Sequence, residues 1–170
     1  MSTLDEEDRR EYYRIEDTIA LEIRPLSASE AAGQEVLQDA SPLFNLLSEL
    51  HLSEFESQHL LRQINERDRN IAAFLKSQNK RIDLLSQVIA ITVLGQIGEP
   101  QPVIISEGGI DFQHPSPIAA GAHLSVKLVL MPQALGLLLR ARVTHCDRKG
   151  DGYDVGTEFE HLTDAQRQLL

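Results

Sequence analysis

No Pro or Gly occurs between Pro42 and Gly95, and so long a run without either breaker reads as helix. Ser41-Pro42 is a good opening: the serine side chain caps, and proline takes the first helical position, where its missing N–H costs nothing. A second start is expected at Ser53-Glu54-Phe55-Glu56, which fits a capping box in which Glu56 reaches back to the cap amide. The spacing therefore predicts a short helix over 42–51 and a long one over 54–94. At 1.5 Å rise per residue the long helix would span about 60 Å, twice the diameter of a small domain. It must project beyond a core or pack against another long helix.

The side chains along it favour packing. Alternating steps of three and four give Leu61, Ile64, Asp68, Ile71, Leu75, Gln78, Ile82, Leu85 and Ile89. The stripe is narrow, and the positions between are rich in polar residues. That pattern is a coiled-coil seam, with Asp68 and Gln78 trading stability for register. Either the long amphipathic helix folds back on its own domain or the chain self-associates; a barrel of about 100 residues cannot cover so long a stripe, so a homo-oligomer is expected. Isoleucine at several seam positions favours more than two strands, a tetramer over a dimer.

The flanks read as β-structure. Thr18 to Arg24 alternates, with Ile19, Leu21 and Ile23 on one face, until Pro25. Residues 26 to 40 are small and polar, a loop or weak helix. Val103-Ile104-Ile105 breaks at Ser106-Glu107-Gly108-Gly109 and resumes as Ile110-Asp111-Phe112. Further strands are expected over His123–Leu130, Leu137–His145 and Tyr153–Phe159, and Thr163 caps a C-terminal helix. Short strands at close spacing suggest a small antiparallel barrel. The strand near residue 20 completes it, and the helical zone is an insertion. The fold class is thus α+β: a single domain over 1–170, with an antiparallel barrel from 9–25 and 100–170, an inserted helical hairpin that forms a coiled-coil oligomerisation region over 41–95, and a C-terminal helix.

Composition narrows the function. Sixteen Lys and Arg against 26 Asp and Glu give a formal net charge of -10, which repels a phosphate backbone and argues against nucleic acid as a partner. The single cysteine, Cys146, cannot form an internal disulfide and suits a reducing compartment. The acidic start, Asp5-Glu6-Glu7-Asp8, lacks an apolar signal core, and Leu84 to Ile97 is too short and polar to span a bilayer. A cytoplasmic protein without membrane insertion is expected.

No catalytic constellation emerges. The six histidines are scattered, without the close spacing of a zinc site. Gly108-Gly109 lacks phosphate-loop spacing, and Ser106 has neither the glycines of a nucleophile elbow nor an assignable base. His145-Cys146 reads as a surface histidine beside a half-buried thiol. The expectation is no enzyme, no metal and no cofactor.

Two features remain. Arg9-Arg10-Glu11-Tyr12-Tyr13-Arg14 concentrates cations in an acidic chain, and arginine pairs bidentately with phosphate and with the O6/N7 edge of guanine. Either this arm folds over a guanine nucleotide, or its arginines neutralise the acids around it. The second feature, Ile105-Ser106-Glu107-Gly108-Gly109-Ile110, is a bend whose glycine pair suggests positive φ. Its hydroxyl and amides can receive a phosphate or a base edge, or it is an ordinary bulge.

In this order the parts resemble the PilZ domain family: Arg10-x-x-x-Arg14, the first strand, Ser106-x-x-Gly109, and Val155-Gly156-Thr157-Glu158-Phe159 before a short helix. The resemblance covers 9–25 and 100–170. It implies a six-stranded barrel that binds cyclic di-GMP, with Arg9, Arg10 and Arg14 gripping the ligand and Ser106 and Gly109 shaping the opposite turn. It also implies a relay to a protein partner in motility, biofilm or secretion control. The chain departs from the family at Ile104, where Asp or Asn is expected, and in its helical zone, which resembles an oligomerising PilZ variant with long heptad helices. Two readings follow: a cyclic di-GMP receptor, or an oligomeric scaffold that has lost the nucleotide.

Overall fold

The computed structural model describes residues 14–33 and 37–170. Six strands close into one antiparallel barrel: β1 (Ile15–Pro25), β2 (Gln101–Ile105), β3 (Ile110–His114), β4 (His123–Leu130), β5 (Leu135–Lys149) and β6 (Gly152–Glu160). Their order around the barrel is β1-β2-β3-β6-β5-β4. Strand β1 closes it by dividing its length. Residues Ile15 to Ile19 pair with β2, and Ala20 to Pro25 pair with β4. The barrel expected from the alternation is present, and the chain near residue 20 is its closing strand.

Alternation decides which side chains fill the interior. Ile19, Val103, Ile110, Phe112, Leu124, Val126, Leu128, Leu137, Leu139, Val143 and Val155 form one buried cluster. Each such side chain contributes about 1.5–3 kcal/mol on leaving water, so this set alone specifies the register of every strand.

Between β1 and β2 lie a one-turn helix α1 (Ala28–Ala32) and the long helices α2 (Pro42–Arg67) and α3 (Arg69–Ile97). Ser41 caps α2, its side chain accepting from the Phe44 amide, with proline in the first turn. The expected division at residues 51–54 does not occur. The helix continues through Ser53 and breaks at Asp68, whose backbone is extended and whose side chain accepts from the Asn70 and Ile71 amides. A capping-box sequence competes with continuation, and with no Gly or Pro nearby continuation keeps the backbone bonds that the cap would replace. At Asp68 a single residue both ends α2, through its N–H to the Ile64 carbonyl, and starts α3. The expected helix of about 60 Å is therefore replaced by arms of about 39 and 44 Å at 1.5 Å per residue. The arms form a hairpin, and Ser41 Oγ at its open end meets Gln96 at 3.4 Å.

The open end of the hairpin sits on the barrel. Phe44 and Leu47 of α2 and Ala90 and Val93 of α3 bury themselves with Val129 of β4 and Ala134 before β5. Polar contacts fix the angle: Ser48 donates to the Gly136 carbonyl at 2.8 Å, and His51 Nε2 lies 2.6 Å from the Ala134 carbonyl. The hairpin thus packs mainly on β1, β4 and β5. A last helix, α4 (Asp164–Leu169), is capped by Thr163 in a capping box with Gln166.

Candidate functional site

An open pocket of about 600 Å³ lies between the start of β1, the β2–β3 turn and β6. Its wall on one side is Arg14, the residue before β1. Opposite stands the β2–β3 turn from Ser106 to Gly109, and β6 with the corner leading to α4 closes the rest. Arg14 adjoins Ile15, which is paired with Ile105. The register of β1 on β2 therefore carries the arginine to the serine turn, across more than ninety residues of sequence. Arg9 and Arg10, with Tyr12 and Tyr13, lie outside the described residues.

The turn is built by Ser106. Its hydroxyl accepts from the amides of Gly108 and Gly109, both at 3.2 Å, and its own amide donates to the Gly109 carbonyl at 2.9 Å. The hydroxyl is spent on shaping the loop. Gly109 is required by close approach and not by a positive φ, which corrects the expectation from the glycine pair. A Cβ there would collide with the Thr157 carbonyl oxygen on β6. The Gly108 carbonyl also accepts from the Phe159 amide at 2.9 Å, so the turn is pressed flat onto β6.

The floor is a cross-strand row. Glu16 faces Ile104, Ile104 faces Asp111, Asp111 faces Gly156, and Gly156 faces His145. A side chain at Gly156 would overlap the His145 ring, so the imidazole lies in the space that glycine leaves beside Asp111. A bulge between Val143 and His145 brings the ring there. Asp111 is half-buried, and burial pushes its carboxyl up; the charges of His145 and Arg14 pull it down and that of Asp154 pushes it further up, leaving it raised. Ile104, 37% exposed, presents an apolar side chain beside it.

Charge around the pocket is mixed. Arg14 and Arg167 supply cations; Glu107, Asp111 and Glu158 supply carboxylates. Glu158 pairs with Arg142 at 2.8 Å. His161, at φ 52, turns the chain from β6 towards α4 beside the same pocket. Asp111, His145, Thr157, Glu158 and Arg167 were not singled out as site residues from sequence. The one signal was Gly156, a glycine at a strand position, which marks a close approach.

The proposed seam residues fall on two sides of the hairpin. Leu61, Ile64, Leu75 and Ile89 are half-buried, whereas Ile71, Ile82 and Leu85 are exposed. Ile71 (52%), Leu85 (64%) and Val88 (64%) turn outward on α3 beside Phe74, Leu84 and Ile91. Among the described residues no helix is long and apolar enough to cross a membrane, and no group of three or more His, Cys, Asp or Glu is placed to hold a metal.

A six-stranded barrel with a Ser-x-x-Gly turn between β2 and β3 defines a class of fold, and comparison with known proteins agrees on the fold. A sequence model of the PilZ domain matches residues 75–170. The chain belongs to the PilZ domain family. No curated protein matches it. Among solved structures it is similar to a pathogenic protein from Xanthomonas campestris, described as a tetrameric PilZ domain self-assembled through an unusual helical bundle. The two share 16% identity with a TM-score of 0.55, over 94% of this chain and 83% of the other. At that identity the likeness is one of fold, and it extends through the helical insertion.

Proposed function

We propose that this protein is a cyclic di-GMP receptor that relays the nucleotide signal to a protein partner without catalysing a reaction. The observation that carries the reading is the shared pocket of Arg14 and the Ser106–Gly109 turn. On this reading Arg14 grips phosphate or the O6/N7 edge of guanine from one side, and Arg9 and Arg10 of the preceding sequence are assigned the same role by their chemistry. The turn holds the other side by its backbone shape. Isothermal titration of the full chain with cyclic di-GMP tests this. Binding that disappears in the Arg10→Ala/Arg14→Ala variant supports it; no heat at tens of micromolar nucleotide overturns it.

The second element of the reading is self-association through the hairpin into a homo-oligomer, a tetramer in preference to a dimer. The outward apolar face of α3 supports it, because a contiguous run of exposed Ile, Leu, Val and Phe is costly to leave in water. The Xanthomonas protein, with its tetrameric helical bundle, offers a precedent in the same fold. Light scattering is expected to return about four times 19.0 kDa.

A second reading is favoured by Ile104, which faces the pocket with no hydrogen-bonding group. If a nucleotide polar group met it unpaired, the loss would be about 1–3 kcal/mol. On this reading the protein is an oligomeric scaffold that presents ligand-free barrels to a partner. A crystal grown with the nucleotide and showing an empty pocket in an intact assembly would favour it.

A further inference from the structure

We propose that Asp111 is the residue that selects guanine in this pocket: its carboxylate accepts from the ring N1–H and the exocyclic amino group of the base, directly across the strand pair from Ile104. The proposal rests on the nucleotide reading above and adds which atom of this chain reads the base.

Chemistry limits which residue can do this. The pairing edge of guanine presents two neighbouring N–H donors, and a carboxylate presents two acceptors at matching separation. Adenine presents a lone pair at its ring N1, which repels a carboxylate. Three carboxylates border the pocket. Glu107 stands at the tip of the β2–β3 turn, and Glu158 is engaged by Arg142 at 2.8 Å. Asp111 is on the floor and half-buried; its carboxylate accepts from the Thr157 amide, makes no ion pair among the described residues and keeps further acceptor positions for a base.

Backbone alternation aims it. Ile110 and Phe112 are buried in the barrel interior, so the Asp111 side chain emerges on the outer face. The register pairs it with Ile104, whose neighbour Ile105 is likewise inside. Side chains directly opposite in an antiparallel pair share a face. The carboxylate and the isoleucine are therefore adjacent: one can hold the edge of a base while the other covers its face. Position 104 needs no polar atom if the acceptor stands one strand away. Gly156, on the other side, has no side chain of its own and leaves room for the His145 ring.

The test is titration of the full chain with cyclic di-GMP and with its inosine analogue, which lacks the exocyclic amino group. Wild type is expected to prefer the guanine form about tenfold. Asp111→Asn, nearly isosteric, is expected to weaken cyclic di-GMP at least tenfold, because its NH2 group meets one of the two donors where the carboxylate offered an acceptor. Asp111→Ala is expected to weaken it as much and to bind both nucleotides alike. Returning a carboxylate to the opposite strand, Ile104→Asp in the Asp111→Ala background, is expected to restore both affinity and preference, which a merely structural role for Asp111 would not do. Wild-type affinity and preference in Asp111→Ala overturn the assignment while leaving the receptor reading standing. A wild-type chain that binds neither nucleotide overturns both.

Discussion

Lys127 Nζ lies 2.8 Å from Asp39 Oδ2 and 4.9 Å from the centre of the Phe44 ring. Asp39 belongs to the segment leading into α2, Lys127 to the middle of β4, and Phe44 to the first turn of α2. One ammonium therefore ties the helical insertion to the barrel by an ion pair and a ring contact together. Both charged side chains are nearly buried, at 8% and 15% exposure. Lys127→Met would leave the carboxylate without its counter-charge. Breaking a buried pair from one side is expected to cost about 3 kcal/mol, a melting temperature lower by roughly 10 °C for a chain of this size. Asp39→Asn in that background should recover much of the loss, measured by urea unfolding.

The same pair sets a dependence on pH. Burial raises the Asp39 carboxyl, but the hydrogen bond from Lys127 and the amides of Ser41 and Ala40 outweigh it, so it sits below the ordinary carboxylate range. The unfolded chain then binds the proton more tightly than the folded one. The stabilisation is present above about pH 4 and is lost as pH falls from there through the depressed folded value. Wild type should exceed Asp39→Asn in stability at pH 7 and converge on it in acid.

Asp111 behaves in the opposite sense. Its carboxyl is raised, chiefly by burial. The folded protein holds the proton more tightly, so stability falls as pH rises from about 4 through the raised value. Ionised Asp111 is then a standing cost at neutral pH. Asp111→Asn is expected to melt higher than wild type at pH 7, with the gap closing below about pH 4. A variant that melts lower at pH 7 would show that ionised Asp111 contributes net stability instead.

Gly109 of the pocket turn and Gly156 beneath the His145 ring should respond differently to Ala. At Gly109 the new Cβ meets the Thr157 carbonyl, which is backbone and cannot yield without parting the turn from β6. A loss of about 2–3 kcal/mol is expected, with poor recovery of folded protein. At Gly156 it meets the His145 ring, a side chain that can rotate away. Stability should change by less than about 1 kcal/mol, while the His145 imidazole resonances move, as read by NMR at constant pH.

On the hairpin, Leu85→Asp with Val88→Asp alters only outward positions. The assembly is expected to fall to a particle of 19.0 kDa with unchanged helical circular dichroism. Leu75→Asp instead places a charge on a half-buried position beside the buried Ala72, and it should lower helix content as well.

Most of the barrel was legible because strand alternation is a local property. Ile19, Leu21 and Ile23 declare an inner face by themselves, and so does the run from Leu124 to Leu128. The hairpin was harder. Asp68 reads equally as a polar seam position and as a helix cap, and only the packing of α2 on α3 decides between them. One periodic stripe was divided between an inner and an outer face for the same reason. In the pocket, Arg14 and Ser106 could be matched through short motifs. Asp111 and His145 could not, because their adjacency depends on which strand lies next to which and on a bulge in β5, neither of which leaves a mark at fixed spacing.

Strand β1 has a mechanical consequence. Its first half is bonded to β2 and its second half to β4, and at about 3.3 Å per residue it is a stiff rod of roughly 36 Å. Arg14 precedes one end, and the chain that becomes the helical pair departs from the other. Traction on the arginine would therefore be felt along a single hydrogen-bonded beam running under the seat of the hairpin, with no flexible joint between.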